Sequence, residues 1–276
     1  MNLRGAEQYG RDQLTGSESP EIDSQILLCH VLAKSVVYLH TWPERLLDEA
    51  QLQQFNALLA LRQLGHPVAH LIGQRGFWSL DLEVTKDTLI PRPDTELLVS
   101  LALDQMLPTM TVADLGTGSG AVALSLAIEH PHARILATDY SFAALSVAKR
   151  NAKKHGLDNV QFYQGSWLMS VAENSLDLVV SNPPYIEQDD PHLSQGDVRF
   201  EPLSALVSGQ DGLDDIRLII TQAKYCLKPE SWLLIEHGYH QAASVQSLFT
   251  EAGFSEVSSE QDYGGNDRVT LGKLAV

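Results

Sequence analysis

The sequence predicts an α/β protein: a doubly wound, mainly parallel sheet, preceded by a small helical domain and joined to it by a β-ribbon. Three observations carry this expectation. After Pro91, short apolar strands alternate with helical segments, as a parallel sheet with crossover helices requires. Before residue 70, apolar residues recur at helical spacing with no strand pattern. Between Gly73 and Ile90 the pattern changes to strict alternation. At 276 residues the chain exceeds a usual single domain, so unequal parts are expected: helices over 1–72, a ribbon linker over 73–90, and the sheet domain over 91–276.

The elements follow in order. Ser19-Pro20 reads as an N-cap with proline at the first helical position, and Leu28, Val31 and Leu32 continue at helical spacing. Leu52, Phe55 and Leu59 mark another helix, which Gly65 and Pro67 terminate. In GFWSLDLEVTKDTLI the apolar face is Phe77, Leu80, Leu82 and Val84. Strands then read at TVADL, RILATD, NVQFYQ, LDLVVSN and WLLIEHG, followed by two final strands. Helices fall from about 120, from Ala143 to Lys154, around Asp214 to Cys226, and before the final pair. Ligands of such sheets lie beyond the carboxyl ends of the strands.

Composition bounds the function. With 44% hydrophobic and 20% charged residues, the chain is an ordinary globular protein. It shows no repeat period, no run of eighteen apolar residues and no basic-then-apolar leader at Met1-Asn2-Leu3-Arg4, so a soluble, unexported protein is expected. Cys29 and Cys226 form neither a disulfide framework nor a metal spacing, which fits a reducing cytoplasm. His66 and His70 flank a turn without metal-ligand company and read as structural, so no metal is expected. The formal charge is -16, from 19 basic and 35 acidic residues. Affinity for nucleic acid depends on neutralising phosphates, so direct nucleic-acid binding is disfavoured and a basic protein partner is steered in.

The strand-end motifs carry the chemistry. The first strand runs into Asp114-Leu115-Gly116-Thr117-Gly118-Ser119-Gly120, whose glycines permit a tight turn and close approach of a cofactor to the backbone. With Ala121 the stretch also satisfies the dinucleotide fingerprint G-x-G-x-x-G/A, so the loop alone indicates only a nucleotide-like cofactor. Asp139 ends the second strand, 19 residues after Gly120, where an acid can accept from both ribose hydroxyls; a solvated strand end or a helix cap also suits it. Trp167 follows the third strand and fits either stacking on an adenine or a place in the core.

The fourth strand ends in Asn182-Pro183-Pro184-Tyr185. Each proline fixes its own φ and holds the preceding residue extended. Asn182 Oδ1 and the Pro183 carbonyl are thereby presented as a stiff fork of acceptors, with the Tyr185 ring close behind. Alone, such a segment reads as a proline-rich loop. Together with the Gly loop and the acid it reads as a site.

The combination of Asp-Leu-Gly-Thr-Gly-Ser-Gly and Asn-Pro-Pro-Tyr resembles the class I S-adenosylmethionine-dependent methyltransferases that methylate planar nitrogens. LIPRPDTELL at 89–98, GDVRFEPLSAL at 196–206 and DYGGNDRVTLG near the C-terminus extend the resemblance to the protein-glutamine methyltransferases, and in particular to those of class 1 peptide-chain release factors. It covers most of the chain, while the N-terminal helices carry little signature. It implies a Rossmann-like catalytic domain, with the helical domain serving partner recognition. It implies that Gly116, Thr117, Gly118, Ser119, Gly120, Asp139, Trp167 and Asn182 contact S-adenosyl-L-methionine. It further implies that Asn182, Pro183, Pro184 and Tyr185 hold the substrate glutamine, from the Gly-Gly-Gln loop of a release factor.

The residues suit that reaction. An amide nitrogen is a poor nucleophile because its lone pair is conjugated with the carbonyl. Two fixed acceptors for its two N–H bonds favour a geometry in which that lone pair faces the methyl group, so Asn182, Pro183 and the packing ring of Tyr185 are the expected catalytic residues. The sulfonium charge is lost as the methyl leaves, so no general base is assigned. Glu236-His237 at the fifth strand end reads as packing rather than an acid/base pair. Arg92 to Glu96 make a good helix start, which alone would explain them, and a place bordering the substrate entrance suits them too. Arg199 and Glu201 lie in a long loop after the fork, where binding residues often sit. Rival readings are a ribosomal-protein glutamine methyltransferase, an adenine N(6)-methyltransferase, a cofactor-binding sensor and a dehydrogenase.

Overall fold

A computed structural model describes residues 1–275. The chain divides into two compact units. One comprises Met1–Gln74 with His192–Phe200; the other comprises Arg75–Pro191 with the residues from Glu201 onward.

The first unit is helical: α1 (Leu3–Gln13), α2 (Pro20–Leu32), α3 (Val36–Thr41), α4 (Glu49–Gln63) and α5 (Val68–Ile72). The Asn2 side chain caps α1, accepting from Gly5 N at 2.9 Å. Asp48 and Gln51 form a reciprocal capping box on α4, which satisfies donors that a helix start otherwise leaves open. Leu3, Leu14, Leu27, Leu28, Leu39, Phe55 and Leu59 make the core. Ser19 precedes α2 without a side-chain capping bond, and Pro20 opens it. The segment 192–200 clusters with these helices. Arg62 links Asp23 at 2.7 Å and Asp197 at 2.8 Å, Arg199 donates to the Leu64 carbonyl at 2.9 Å, and the Phe200 ring packs at a tilt against His66.

The second unit opens with the ribbon β1 (Gln74–Phe77) and β2 (Leu80–Glu83). It continues through α6 (Glu96–Gln105), β3 (Thr111–Leu115), α7 (Ala121–Glu129), β4 (Arg134–Asp139), α8 (Phe142–His155), β5 (Val160–Gln164), β6 (Leu176–Ser181), α9 (Asp214–Cys226), β7 (Leu227–Glu236), α10 (Ala242–Glu251), β8 (Phe254–Gln261) and β9 (Asp267–Leu274). The sheet order is β5-β4-β3-β6-β7-β9-β8. Ladders from β5 to β7 are parallel, and β9 runs antiparallel to both of its neighbours.

Alternation along the strands sorts the core into two layers, since successive side chains point to opposite faces. Val112, Ile135, Leu178, Val180 and Leu234 face α6 and α7, where Phe77, Leu80 and Leu82 of the ribbon also pack. Ala113, Leu115, Leu136, Val179, Leu233 and Ile235 face α9 and α10. Burial on both faces explains the near-continuous apolar runs of these strands. β7 begins five residues before the WLLIEHG of the sequence reading. Its first turn-like stretch, Lys228-Pro229-Glu230, has Glu230 at φ 63, and pairing with β6 is irregular between Leu176 and Leu178.

Candidate active site

Strand order places the site. From β3 the chain winds outward to β4 and β5 on one side, and β6 and β7 lie on the other. The crevice at the reversal therefore opens between β3 and β6. Leu115 and Ser181 are register partners there, and Ser181 Oγ donates to the Leu115 carbonyl at 2.9 Å. The next residues, Gly116 and Asn182, must emerge side by side. A cleft of about 370 Å³ opens at this point, within the usual range for small-molecule sites.

Gly116, Gly118, Asp139, Trp167, Asn182 and Pro184 line that cleft, bringing together expected residues from four strand ends. Thr117, Ser119 and Gly120 do not line it. Thr117 and Ser119 are buried, and Thr117 Oγ1 donates to Asp114 Oδ2 at 2.7 Å. That carboxylate also accepts from Ala123 N at 3.0 Å, tying the Gly loop to the start of α7. Burial pushes the Asp114 carboxyl up to about 6. Asp114 is thus a bracing residue that the sequence reading quoted without giving it a role.

Two glycines show why the loop needs no side chain. At Gly116, φ is +71 and a Cβ would meet the Trp167 ring at 3.2 Å. At Gly118, φ is +57 and the nearest atom to such a Cβ would be 4.0 Å away, leaving open space over the loop on the cleft side. A flat bed of backbone facing a cavity fits close approach by a nucleoside-bearing ligand. Asp139 stitches this bed to the next turn: Oδ2 accepts from Gly118 N at 2.9 Å and Oδ1 from Ser141 N at 2.8 Å. Each oxygen keeps a further lone pair for a ligand hydroxyl. Desolvation raises its carboxyl above the usual range. The cap of α8 is Ser141 itself, accepting from Ala144 N at 3.2 Å. Trp167 packs against the core layer that faces α9 and α10 and also lines the cleft.

At the fork, Asn182 Nδ2 donates to Thr95 Oγ1 at 3.1 Å. Pro183 and Pro184 are buried. The Tyr185 hydroxyl turns inward to Glu236 Oε1 at 3.5 Å, a long contact, and burial followed by the charge of Glu236 raises the phenol. The exit of the fork is pinned by Gln241 Nε2 on the Tyr185 carbonyl at 3.1 Å and by Ile186 N on the Leu206 carbonyl at 2.8 Å. Glu236 is fully buried, with its carboxyl driven up to about 7 by desolvation. His237 is also buried; its ring nitrogens face the Gly238 carbonyl and Thr270 Oγ1 at 2.9 and 2.8 Å, a structural arrangement.

Glu201 is buried, accepts from Ile90 N at 2.8 Å and pairs with Arg92. Arg199 lies in the helical unit. Sequence reasoning did not name Lys86, Thr88, Leu89, Pro202 and Ala205, which line the cleft from the loops flanking the ribbon and the fork. Thr95 was treated only as part of a helix start.

Comparison with known proteins decides the family. The sequence profile described as "PrmC N-terminal domain" matches residues 6–73, and that of the "Methyltransferase small domain" matches residues 93–197. A release factor glutamine methyltransferase of Vibrio cholerae is 51% identical over 263 residues, covering 95% of this chain and 92% of the relative. The chain belongs to the release factor glutamine methyltransferase family. The Escherichia coli member is 48% identical, with 95% of both chains covered. Among solved structures, a methyltransferase from Pyrococcus furiosus aligns over 80% of this chain and 98% of its own, with 16% identity and a TM-score of 0.56. A ribosomal protein L11 methylase from Lactobacillus delbrueckii covers 66% of this chain and 80% of its own, with 21% identity and a TM-score of 0.50. Both likenesses are of fold: the sheet unit has the class I methyltransferase architecture that the family's motifs imply. Among the described residues, no helix is long and apolar enough to cross a membrane.

Proposed function

We propose that the protein transfers a methyl group from S-adenosyl-L-methionine to the side-chain N(5) of the glutamine in the Gly-Gly-Gln loop of class 1 peptide-chain release factors, in the cytoplasm. The observation that carries this reading is the register pairing of Leu115 with Ser181, which brings the Gly loop and the Asn182 fork to one opening. The names of relatives about half identical to the chain support the acceptor. They favour it over ribosomal protein, and the formal charge of -16 weighs against nucleic acid.

Gly116 and Gly118 offer backbone to the cofactor, Asp139 accepts from its ribose hydroxyls, and Trp167 flanks its base. When bound, the cofactor supplies an electrophilic methyl on a sulfonium. The protein's contribution is orientation. Asn182 Oδ1 and the Pro183 carbonyl accept the two N–H bonds of the substrate amide, and the Tyr185 ring packs on its plane and excludes water. Prepaid orientation of this kind lowers the barrier without a general base. The surplus proton leaves to solvent after transfer. The helices of the first unit serve recognition of the release factor.

The test is peptide mapping of a release factor incubated with the protein and S-adenosylmethionine. The added methyl is expected on the glutamine of the Gly-Gly-Gln loop and nowhere else. A methyl on another side chain, or on the ribosomal-protein glutamine in preference, would overturn the reading.

A further inference from the structure

The amide of Asn182 has two ends, and the protein commits one of them. Nδ2 donates to Thr95 Oγ1 at 3.1 Å. An amide is planar, so holding Nδ2 on one side holds Oδ1 on the other. Thr95 is 4% exposed and ends the turn Pro93–Thr95 that opens α6. Its hydroxyl is therefore carried by a helix start packed in the fold. A hydroxyl that accepts from Asn182 keeps its own proton to donate. Behind the fork lies the Glu236 carboxyl, whose upward shift by burial Thr95 opposes. That carboxyl is 1% exposed, and Oε2 has no hydrogen-bond partner. Its Oε1 is the atom approached by the Tyr185 hydroxyl.

We propose that Thr95 is a positioning residue for methyl transfer: its buried hydroxyl oxygen, by accepting from Nδ2, keeps Asn182 Oδ1 toward the substrate nitrogen and Nδ2 away from it. The need is chemical. Turning the Asn182 amide over presents N–H to N–H, which removes one of the two acceptors and repels the substrate. Only one side-chain torsion separates the two orientations, so the choice has to be enforced by a neighbour. Thr95 enforces it because its oxygen, carried by a buried helix start, already accepts from Asn182 Nδ2 at 3.1 Å. This inference rests on the fork gripping an amide, as proposed above.

The test compares Thr95→Val, which keeps the shape and removes the hydroxyl, with Thr95→Ser, which keeps the hydroxyl. Methyl transfer to a release factor, S-adenosylmethionine affinity and thermal midpoint are measured for each. Thr95→Val is expected to lower kcat by about 10- to 100-fold, the scale of a misplaced contact in a near-attack geometry, while Thr95→Ser stays within about threefold of wild type. Cofactor affinity and thermal midpoint should change little. Wild-type kcat in a folded Thr95→Val protein, or equal losses of kcat and stability in both variants, would overturn the proposal. A second readout needs no substrate: solvent exchange of the Asn182 side-chain amide protons, followed by NMR. Exchange should be slow in wild type and Thr95→Ser and fast in Thr95→Val; equal exchange in all three overturns the positioning claim. If wild type methylates no glutamine, the proposed function falls, and the exchange measurement still decides the lock.

Discussion

Leu115 and Ser181 face one another at the ends of adjacent parallel strands, with Ser181 Oγ on the Leu115 carbonyl at 2.9 Å. This pair sets the distance between the Gly loop and the fork, because Gly116 and Asn182 are the next residues. Asn182→Ala removes an acceptor while leaving this scaffold intact. It is expected to reduce kcat by about 100-fold or more, the scale for one lost donor or acceptor in a preorganised site. Cofactor binding, measured by calorimetry, should weaken by less than about tenfold. Loss of both together would show that the residue serves the fold rather than the transfer.

Asp139 joins the Gly118 and Ser141 amides through its two oxygens. Asp139→Asn puts an NH2 against one of those donors and discards a charge-assisted acceptor. The dissociation constant for S-adenosylmethionine should rise by about 10- to 100-fold, corresponding to roughly 1.5–3 kcal/mol for a charged hydrogen bond. Turnover at saturating cofactor should change far less. Isothermal titration beside initial rates separates the two effects.

Gly116→Ala meets two obstacles. The backbone is at φ +71, and the new Cβ would lie 3.2 Å from the Trp167 ring. Left-handed strain alone costs on the order of 1–3 kcal/mol. A lowered thermal midpoint and weaker cofactor binding are expected together, since Trp167 must shift out of its place on the cleft wall. An unchanged affinity would mean that the cofactor does not rest on Gly116.

Stability should depend on pH through Glu236. Burial raises its carboxyl from 4.5 to about 7; Thr95, Arg268 and Tyr185 oppose the shift and Asp94 adds to it. Between those values the native state binds the proton that the unfolded state releases, so this contribution falls as pH rises and is gone above about 7. Its full size is on the order of 3 kcal/mol. Asp114, raised from 3.8 to about 6, acts in the same direction at lower pH. His237, lowered by burial, acts in the opposite direction. The difference in thermal midpoint between wild type and Glu236→Gln isolates the first effect. It should shift against wild type as pH is raised from about 5 to about 8. A flat difference would show that Glu236 titrates normally.

The strands and helices of the sheet unit were legible because period two and period 3.6 differ plainly in runs such as RILATD and FAALSVAKRNAKKH. The start of β7 was not: Lys228-Pro229-Glu230 has turn composition, and only pairing with β6 makes Leu227 a strand residue. The insertion of β9 between β7 and β8 leaves no mark in either strand's own pattern. The segment 192–200 reads as loop, and its place with the N-terminal helices depends on ion pairs such as Arg62 with Asp197, 135 residues apart. The strand-end motifs identified the cleft, since topology puts all such ends on one side. Thr95 escaped notice because a helix start explained it, whereas its bond to Asn182 spans 87 residues. Thr117 and Ser119 were expected at the ligand from the family resemblance, but the turn directs them inward toward Asp114 and the core.

The most direct measurement is transfer of labelled methyl from S-adenosylmethionine to a purified release factor, run beside the same factor with its Gly-Gly-Gln glutamine replaced, a ribosomal protein and adenine-containing DNA. The account predicts label on the intact release factor alone. Label on the replaced factor, the ribosomal protein or the DNA, or no transfer despite cofactor binding, would contradict it.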